Sequence, residues 1–197
     1  MPESKCIIRS LPIVLASASP RRRDLLRAAG IQFEVDAPIV DETRRPSEAA
    51  EAYVERMARE KAAAVAARHP ARVVLAADTI VVVGERVLGK PIDAVDAVAM
   101  LRALSGRSHV VMTAVAVVRS GVARAAVDHT TVRMRRIEDG EIAAYVATGE
   151  PLDKAGAYAI QGGAQAFVEN IDGALDTVIG LPVGQVRALL HEMGVKA

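Results

Sequence analysis

Ser17-Ala18-Ser19-Pro20-Arg21-Arg22-Arg23 gathers two hydroxyls and three guanidinium groups around a point where a helix should begin. The apolar run at 13–16 before it reads as a short buried strand, and residues 24–29, running into Gly30, read as a helix reaching its cap. Ser19 is the expected N-cap and Pro20 the expected first helical residue. The positive end of a helix dipole favours acids, by a few tenths up to about 1 kcal/mol, so cations stacked there are frustrated unless an anion joins them. Backbone N–H groups, serine hydroxyls and guanidinium forks together match phosphate geometry. The alternative is a solvated basic turn whose arginines point into water, and the segment alone does not separate the two.

Other charged residues could share such a site. Asp78 follows the apolar run at 73–77, where a buried strand is expected to leave the sheet for a loop, the place where α/β sheets present ligand-binding side chains. An Asp capping the next turn is the plainer reading, but the β-branched run after Thr79 offers no helix to cap. Val40-Asp41-Glu42-Thr43 puts an acidic pair in a loop, and Lys61 and Lys90 are isolated cations; singly, each is most simply a solvated charge. Gly84-Glu85-Arg86-Val87-Leu88-Gly89-Lys90-Pro91 nearly spells a phosphate-binding loop. It lacks the hydroxyl after the lysine and sits on the second arm of an expected hairpin rather than opening a helix. His69, His109, His129 and His191 are scattered without metal-ligand spacing, and no GxSxG turn is present. What remains is a set of cations and carboxylates without an activated side-chain nucleophile. That set suits metal-assisted attack of water on a phosphate, with carboxylates holding a divalent cation or taking a proton and cations neutralising phosphate charge.

The elements that must position these groups alternate early between strand and helix and then become β-rich, an α/β layout. Helices are expected at 47–69, 94–104, 138–147 and 183–192, long strands at 109–118 and 122–134, and a hairpin over 80–88. At 197 residues the chain is sized for one domain, 1–197, with 1–11 as a frayed extension. A net charge of +1 and 3% aromatics without tryptophan argue against nucleic-acid surfaces and base-stacking platforms. No apolar run approaches the about 20 residues that span a bilayer, and no signal-peptide core is present. The lone cysteine, Cys6, excludes an internal disulfide and fits a reducing cytoplasm.

Taken in order, these residues resemble the Maf family of nucleoside triphosphate pyrophosphatases from about Ile13 to Leu190. The likeness is carried by Ser17-Ala18-Ser19-Pro20-Arg21-Arg22, Val40-Asp41-Glu42, Arg59-Glu60-Lys61, Ala77-Asp78-Thr79, Gly89-Lys90-Pro91 and Leu104-Ser105-Gly106. It continues through Asp153-Lys154-Ala155-Gly156-Ala157-Tyr158, Ile160-Gln161-Gly162 and Gly180-Leu181-Pro182. The resemblance implies a fold similar to inosine triphosphate pyrophosphatases, an elongated mixed sheet flanked by helices around a central nucleotide cleft. It implies cleavage between the α- and β-phosphates with Mg²⁺ or Mn²⁺, in a homodimer. Asp78 would be the general base, with Glu42 assisting the metal or water and both as candidate metal ligands. Ser17, Ser19, Arg21, Arg22, Lys61 and Lys90 would meet the substrate or its phosphates. Arg21, Thr79 and Gln161 match the branch that prefers dTTP and UTP; a branch acting on 7-methyl-GTP has Trp, Gln and Glu there. A non-catalytic regulator of septum formation and a broader housecleaning enzyme for modified nucleotides are the alternatives.

Overall fold

The computed structural model describes residues 12–195, so Cys6 and the extension expected at 1–11 lie outside the described residues. Its central strand is β3 (Val74–Val83), whose sequence VLAADTIVVV is apolar on both faces, as a strand covered on both sides must be. Along one edge β3 pairs antiparallel with β5 (Ser108–Arg119) from Val74 to Val82. Along the other edge it meets two short partners. Strand β1 (Ile13–Leu15) runs parallel to it at Val74 and Leu75, and β4 (Arg86–Leu88) returns antiparallel over Val81–Val83. Strands β2 (Phe33–Val35), β6 (Val122–Met134) and β7 (Val168–Asp172) complete one mixed seven-stranded sheet, ordered β2-β1-β3-β5-β6-β7 with β4 on the β3 edge.

Asp78 therefore does not leave the sheet for a loop. The β5 ladder carries β3 straight past it, with Asp78 opposite Ala114 and Thr79 opposite Thr113. What opens at this point is a notch in the other edge, because β1 ends opposite Leu75 and β4 begins opposite Val81. Access to Asp78, which is itself buried, is thus given by the ending of a neighbour rather than of its own strand.

Helices α1 (Pro20–Ala28), α2 (Ala50–Ala66), α3 (Ala94–Leu104), α4 (Asp139–Ala147), α5 (Leu175–Ile179) and α6 (Val183–Glu192) cover the sheet, the flanked mixed-sheet α/β fold that the resemblance implies. Helix α2 starts three residues later than its sequence suggests. Ser47 adopts φ +59° and Glu48 accepts the Arg45 N–H with its carboxylate, so residues 45–48 form a turn. Along β3 the side chains alternate between faces. Val74, Ala76 and Ile80 pack on Val54, Ala58, Ala62 and Val65 of α2. Leu75 and Ala77 pack with Leu26 of α1 and Val186 and Leu190 of α6. Val81 and Val83 belong to a third cluster built with α3 and α4. Each fully buried Leu or Val contributes about 1.5–3 kcal/mol, so these faces are strongly specified. Asp78 and Thr79 fall on opposite faces, at the seam between the clusters. No helix among the described residues is long and apolar enough to cross a membrane.

Candidate active site

A cleft of about 610 Å³ opens at the notch, lined by Ser17, Ser19, Arg21, Arg22, Glu42, Lys61, Asp78, Thr79, Lys90 and Gln161, whereas Arg23, the third arginine of the turn, lies outside it. At its floor, buried Lys61 on α2 and buried Asp78 on β3 meet with Nζ 2.6 Å from Oδ1. The same ammonium lies 2.8 Å from Glu42 Oε1, so one cation bridges the two carboxylates. An ammonium in so dry a position needs such partners, since an unpaired buried charge costs several kcal/mol. Burial acts to raise the Glu42 carboxyl, but the Lys61 hydrogen bond and the charges of Lys61, Lys90 and Arg22 outweigh it and hold the group below its ordinary value. Among the described residues, Asp78 Oδ2 and Glu42 Oε2 face no protein donor. No cluster of three or more His, Cys, Asp or Glu side chains suited to a metal occurs among the described residues. Two carboxylates with one spare oxygen each do fit Mg²⁺ or Mn²⁺, hard cations that draw their other ligands from water and phosphate.

The arginines of the first helical turn diverge. Arg22 turns inward and is fixed at three points: Nε donates to the Gly180 carbonyl at 2.8 Å, one terminal nitrogen to Ser17 Oγ at 3.2 Å and the other to Thr79 Oγ1 at 3.1 Å. Burial pushes its guanidinium below its ordinary value, and the Asp78 and Glu42 charges oppose the shift. Thr79 is itself held by Thr113, whose hydroxyl lies 3.0 Å away and donates to the Thr177 carbonyl. Arg21 points instead toward the end of the cleft bearing Tyr145, Glu150 and Asp153, whose charges offset part of the downward shift that burial imposes on it. Arg21 Nε is buried with no hydrogen-bond partner among the described residues. Ser19 occupies the N-cap position, but its hydroxyl makes no capping bond; its N–H donates to Ser17 Oγ instead. No acid stands in the first turn, so the helix end offers its N–H groups to the cleft.

Lys90 is exposed on the rim, just past β4, and α3 opens only at Ala94, so no helix starts at the lysine as a phosphate-binding loop requires. Gln161 is exposed near the end of the cleft where Glu150 and Asp153 stand. Of the acidic pair, only Glu42 reaches the cleft, because Asp41 closes its own turn by accepting the Thr43 N–H at 2.9 Å. Two features were not foreseen from the sequence: Tyr53, whose hydroxyl donates to the Glu42 carbonyl at 2.7 Å, and the network around Glu150. For Tyr53 a signal existed, since it lies eight residues before Lys61 on the same face of α2.

This arrangement has counterparts in other proteins. Residues 12–193 match the family described as Maf-like protein. The chain is 52% identical over 183 residues to a Myxococcus xanthus protein named dTTP/UTP pyrophosphatase, covering 93% of each chain. Proteins of the same name from Anaeromyxobacter dehalogenans and Geobacter sulfurreducens are 54% and 52% identical, each over 92% of this chain and over 94% and 96% of their own lengths. The match spans α1, the Glu42 loop, α2, β3 and the Gln161 segment, the parts that converge on the notch, and the chain belongs to the family of Maf-like proteins.

Proposed function

We propose that the chain is a nucleoside triphosphate pyrophosphatase acting on dTTP and UTP, which it hydrolyses to the monophosphate and pyrophosphate. The observation that carries the reading is the pairing of Asp78 and Glu42 on one buried ammonium, beside a fixed guanidinium in a cleft of nucleotide size. Similarity to relatives named for this activity supports the same substrate class.

In this reading the triphosphate lies between the α1 N-terminus, with Ser19 and Arg22, and Lys90 on the opposite rim. Lys61 holds Asp78 by one oxygen, which leaves Oδ2 to take a proton from the attacking water. Water adds at the α-phosphorus while its bond to the α–β bridging oxygen breaks, and pyrophosphate leaves with that electron pair. Arg22 and Lys90 offset the charge that gathers on the phosphate oxygens. A divalent cation, Mg²⁺ or Mn²⁺, held by Glu42 beside Asp78 would supply Lewis-acid stabilisation of the same oxygens, with Asp78 Oδ2 kept for the proton. At the far end, the neutral amide of Gln161 can pair with the donor and acceptor edge of uracil or thymine. Resemblance to the family favours a cytoplasmic homodimer, and the near-neutral charge favours free nucleotides over nucleic acid as substrate.

Pyrophosphate release with Mg²⁺ or Mn²⁺ against dTTP, UTP, CTP, 7-methyl-GTP and ITP tests the reading, with Asp78→Asn alongside. Turnover led by dTTP and UTP that falls at least about 10²-fold in the variant is expected. Turnover led by another nucleotide would keep the chemistry and overturn the specificity, and none on any would favour a non-catalytic regulator.

A further inference from the structure

Glu150 begins a 3₁₀ turn (Glu150–Asp153) shortly after α4 and is half-buried on the wall of the cleft. The Tyr145 hydroxyl donates to Glu150 Oε1 at 3.1 Å and accepts the Ala159 N–H at 3.0 Å. The Gly163 N–H donates to Glu150 Oε2 at 3.2 Å. The two ends of the segment 159–163 are thus tied, one through Tyr145 and one directly, to a single carboxylate, and Gln161 stands at its middle. Gly162 lies against that carboxylate. A Cβ there would overlap Oε1 and sit 2.5 Å from Cδ, although the backbone at φ −119° needs no glycine on conformational grounds.

We propose that Glu150 is a positioning residue for base recognition: its carboxylate clamps the 159–163 segment through Tyr145 and Gly163, and Gly162 is the space that admits it. The inference rests on the reading of the cleft as a nucleotide site. Removing the acceptor frees the turn that aims Gln161, while the cations that meet the phosphates stand on other elements. A side chain at position 162 has the same effect from the other direction, because it displaces the carboxylate from both donors. The two changes act on one bond network, so their effects do not add.

Equilibrium binding with Mg²⁺ present separates the base from the phosphates, using the α,β-imido analogue of dTTP and inorganic tripolyphosphate as probes. Glu150→Ala and Gly162→Ala are each expected to weaken the nucleotide analogue about tenfold and leave tripolyphosphate unchanged, with the double variant no weaker than either single. Glu150→Gln keeps the shape of the side chain but places a donor where an acceptor is needed, and is expected to fall between wild type and Glu150→Ala. Unchanged nucleotide affinity in the single variants, a parallel loss of tripolyphosphate, or losses that multiply in the double would overturn the clamp. Wild-type protein that binds tripolyphosphate as well as the analogue would overturn the nucleotide reading itself, and the clamp with it.

Discussion

Lys61 carries more of the site than any other residue, because both candidate carboxylates spend an oxygen on it and it sits 8% exposed. Lys61→Met keeps the length of the side chain and removes the charge, leaving Asp78 and Glu42 to face each other without a cation. Breaking one partner out of a buried ion pair costs roughly 3 kcal/mol, so the variant should melt lower as well as lose pyrophosphate release. A variant that loses activity but melts like wild type would show that the ammonium is not buried with its partners in solution. The sign of the pH effect follows from Glu42, whose carboxyl is held below the ordinary 4.5. Its contribution to stability is present above that pH and is lost as the pH falls through the depressed value, and the loss should be smaller in Lys61→Met. Gln161 makes the complementary case at the other end of the cleft. Gln161→Glu replaces an amide that both donates and accepts with an acceptor alone, and should lower the kcat/KM of dTTP relative to 7-methyl-GTP roughly tenfold or more. An unchanged ratio would remove Gln161 from base reading.

Helix α2 acts as the platform for the Glu42 loop. Tyr53 holds the Glu42 carbonyl, Arg56 donates to the Thr43 carbonyl at 3.2 Å, and Lys61 holds the Glu42 side chain. Arg56 also forks onto Glu48, with Nε 2.6 Å from Oε1 and a terminal nitrogen 2.7 Å from Oε2, which closes the loop onto the helix. The Arg56 hydrogen bonds hold the Glu48 carboxyl down at about 2, from an ordinary 4.5. The stabilisation from this fork is therefore complete above pH 4.5 and is lost as the pH falls toward about 2. Melting temperatures of wild type and Arg56→Leu should differ most above pH 4.5 and converge below it, whereas a constant gap would assign Arg56 a packing role only. The sequence disclosed these elements unevenly, and the pattern has a physical basis. Helices α3 and α6 were legible to the residue and α4 to within one, because local signals mark them: Asp93 caps α3 through the Asp96 N–H, and Glu138, the N-cap rather than the first residue of α4, forms a capping box with Glu141. The start of α2 was not, because the turn before it depends on the fork between Glu48 and Arg56. The continuation of β3 past Asp78 was not either, since it is fixed by a ladder to distant residues, with Thr79 opposite Thr113 and Val82 opposite Val110. The candidate side chains were legible by type and order, but their division of labour was not, because the divergence of Arg21 from Arg22 depends on Gly180, Thr79 and Ser17 together.

Across the whole molecule, β3 joins three hydrophobic clusters, and the polar pair Asp78-Thr79 interrupts its apolar run where they meet. The site thus occupies a seam in the core, and buried polar groups near it must be matched in place. His109 on β5 is one buried group whose matching is incomplete. It is 2% exposed, its Nε2 lies 2.8 Å from the Tyr158 hydroxyl, and its Nδ1 has no partner among the described residues. Burial holds its pKa down at about 4, from an ordinary 6.5, so the folded protein keeps the ring neutral where the unfolded chain would take up a proton. Stability is therefore complete above pH 6.5 and falls as the pH drops from 6.5 toward about 4. A tenfold difference in proton affinity between the folded and unfolded chains is worth about 1.4 kcal/mol, so the loss is on the order of 3 kcal/mol. Tyr158 lines the cleft immediately before the segment that bears Gln161, so this loss falls on packing that supports the base end of the site. His109→Gln cannot titrate in this range. Denaturant unfolding at about pH 7, 5.5 and 4 should show the wild-type advantage over His109→Gln shrinking steadily across the series. An advantage that stays constant would mean that the ring is solvated enough to ionise normally, and that this part of the seam is open to water.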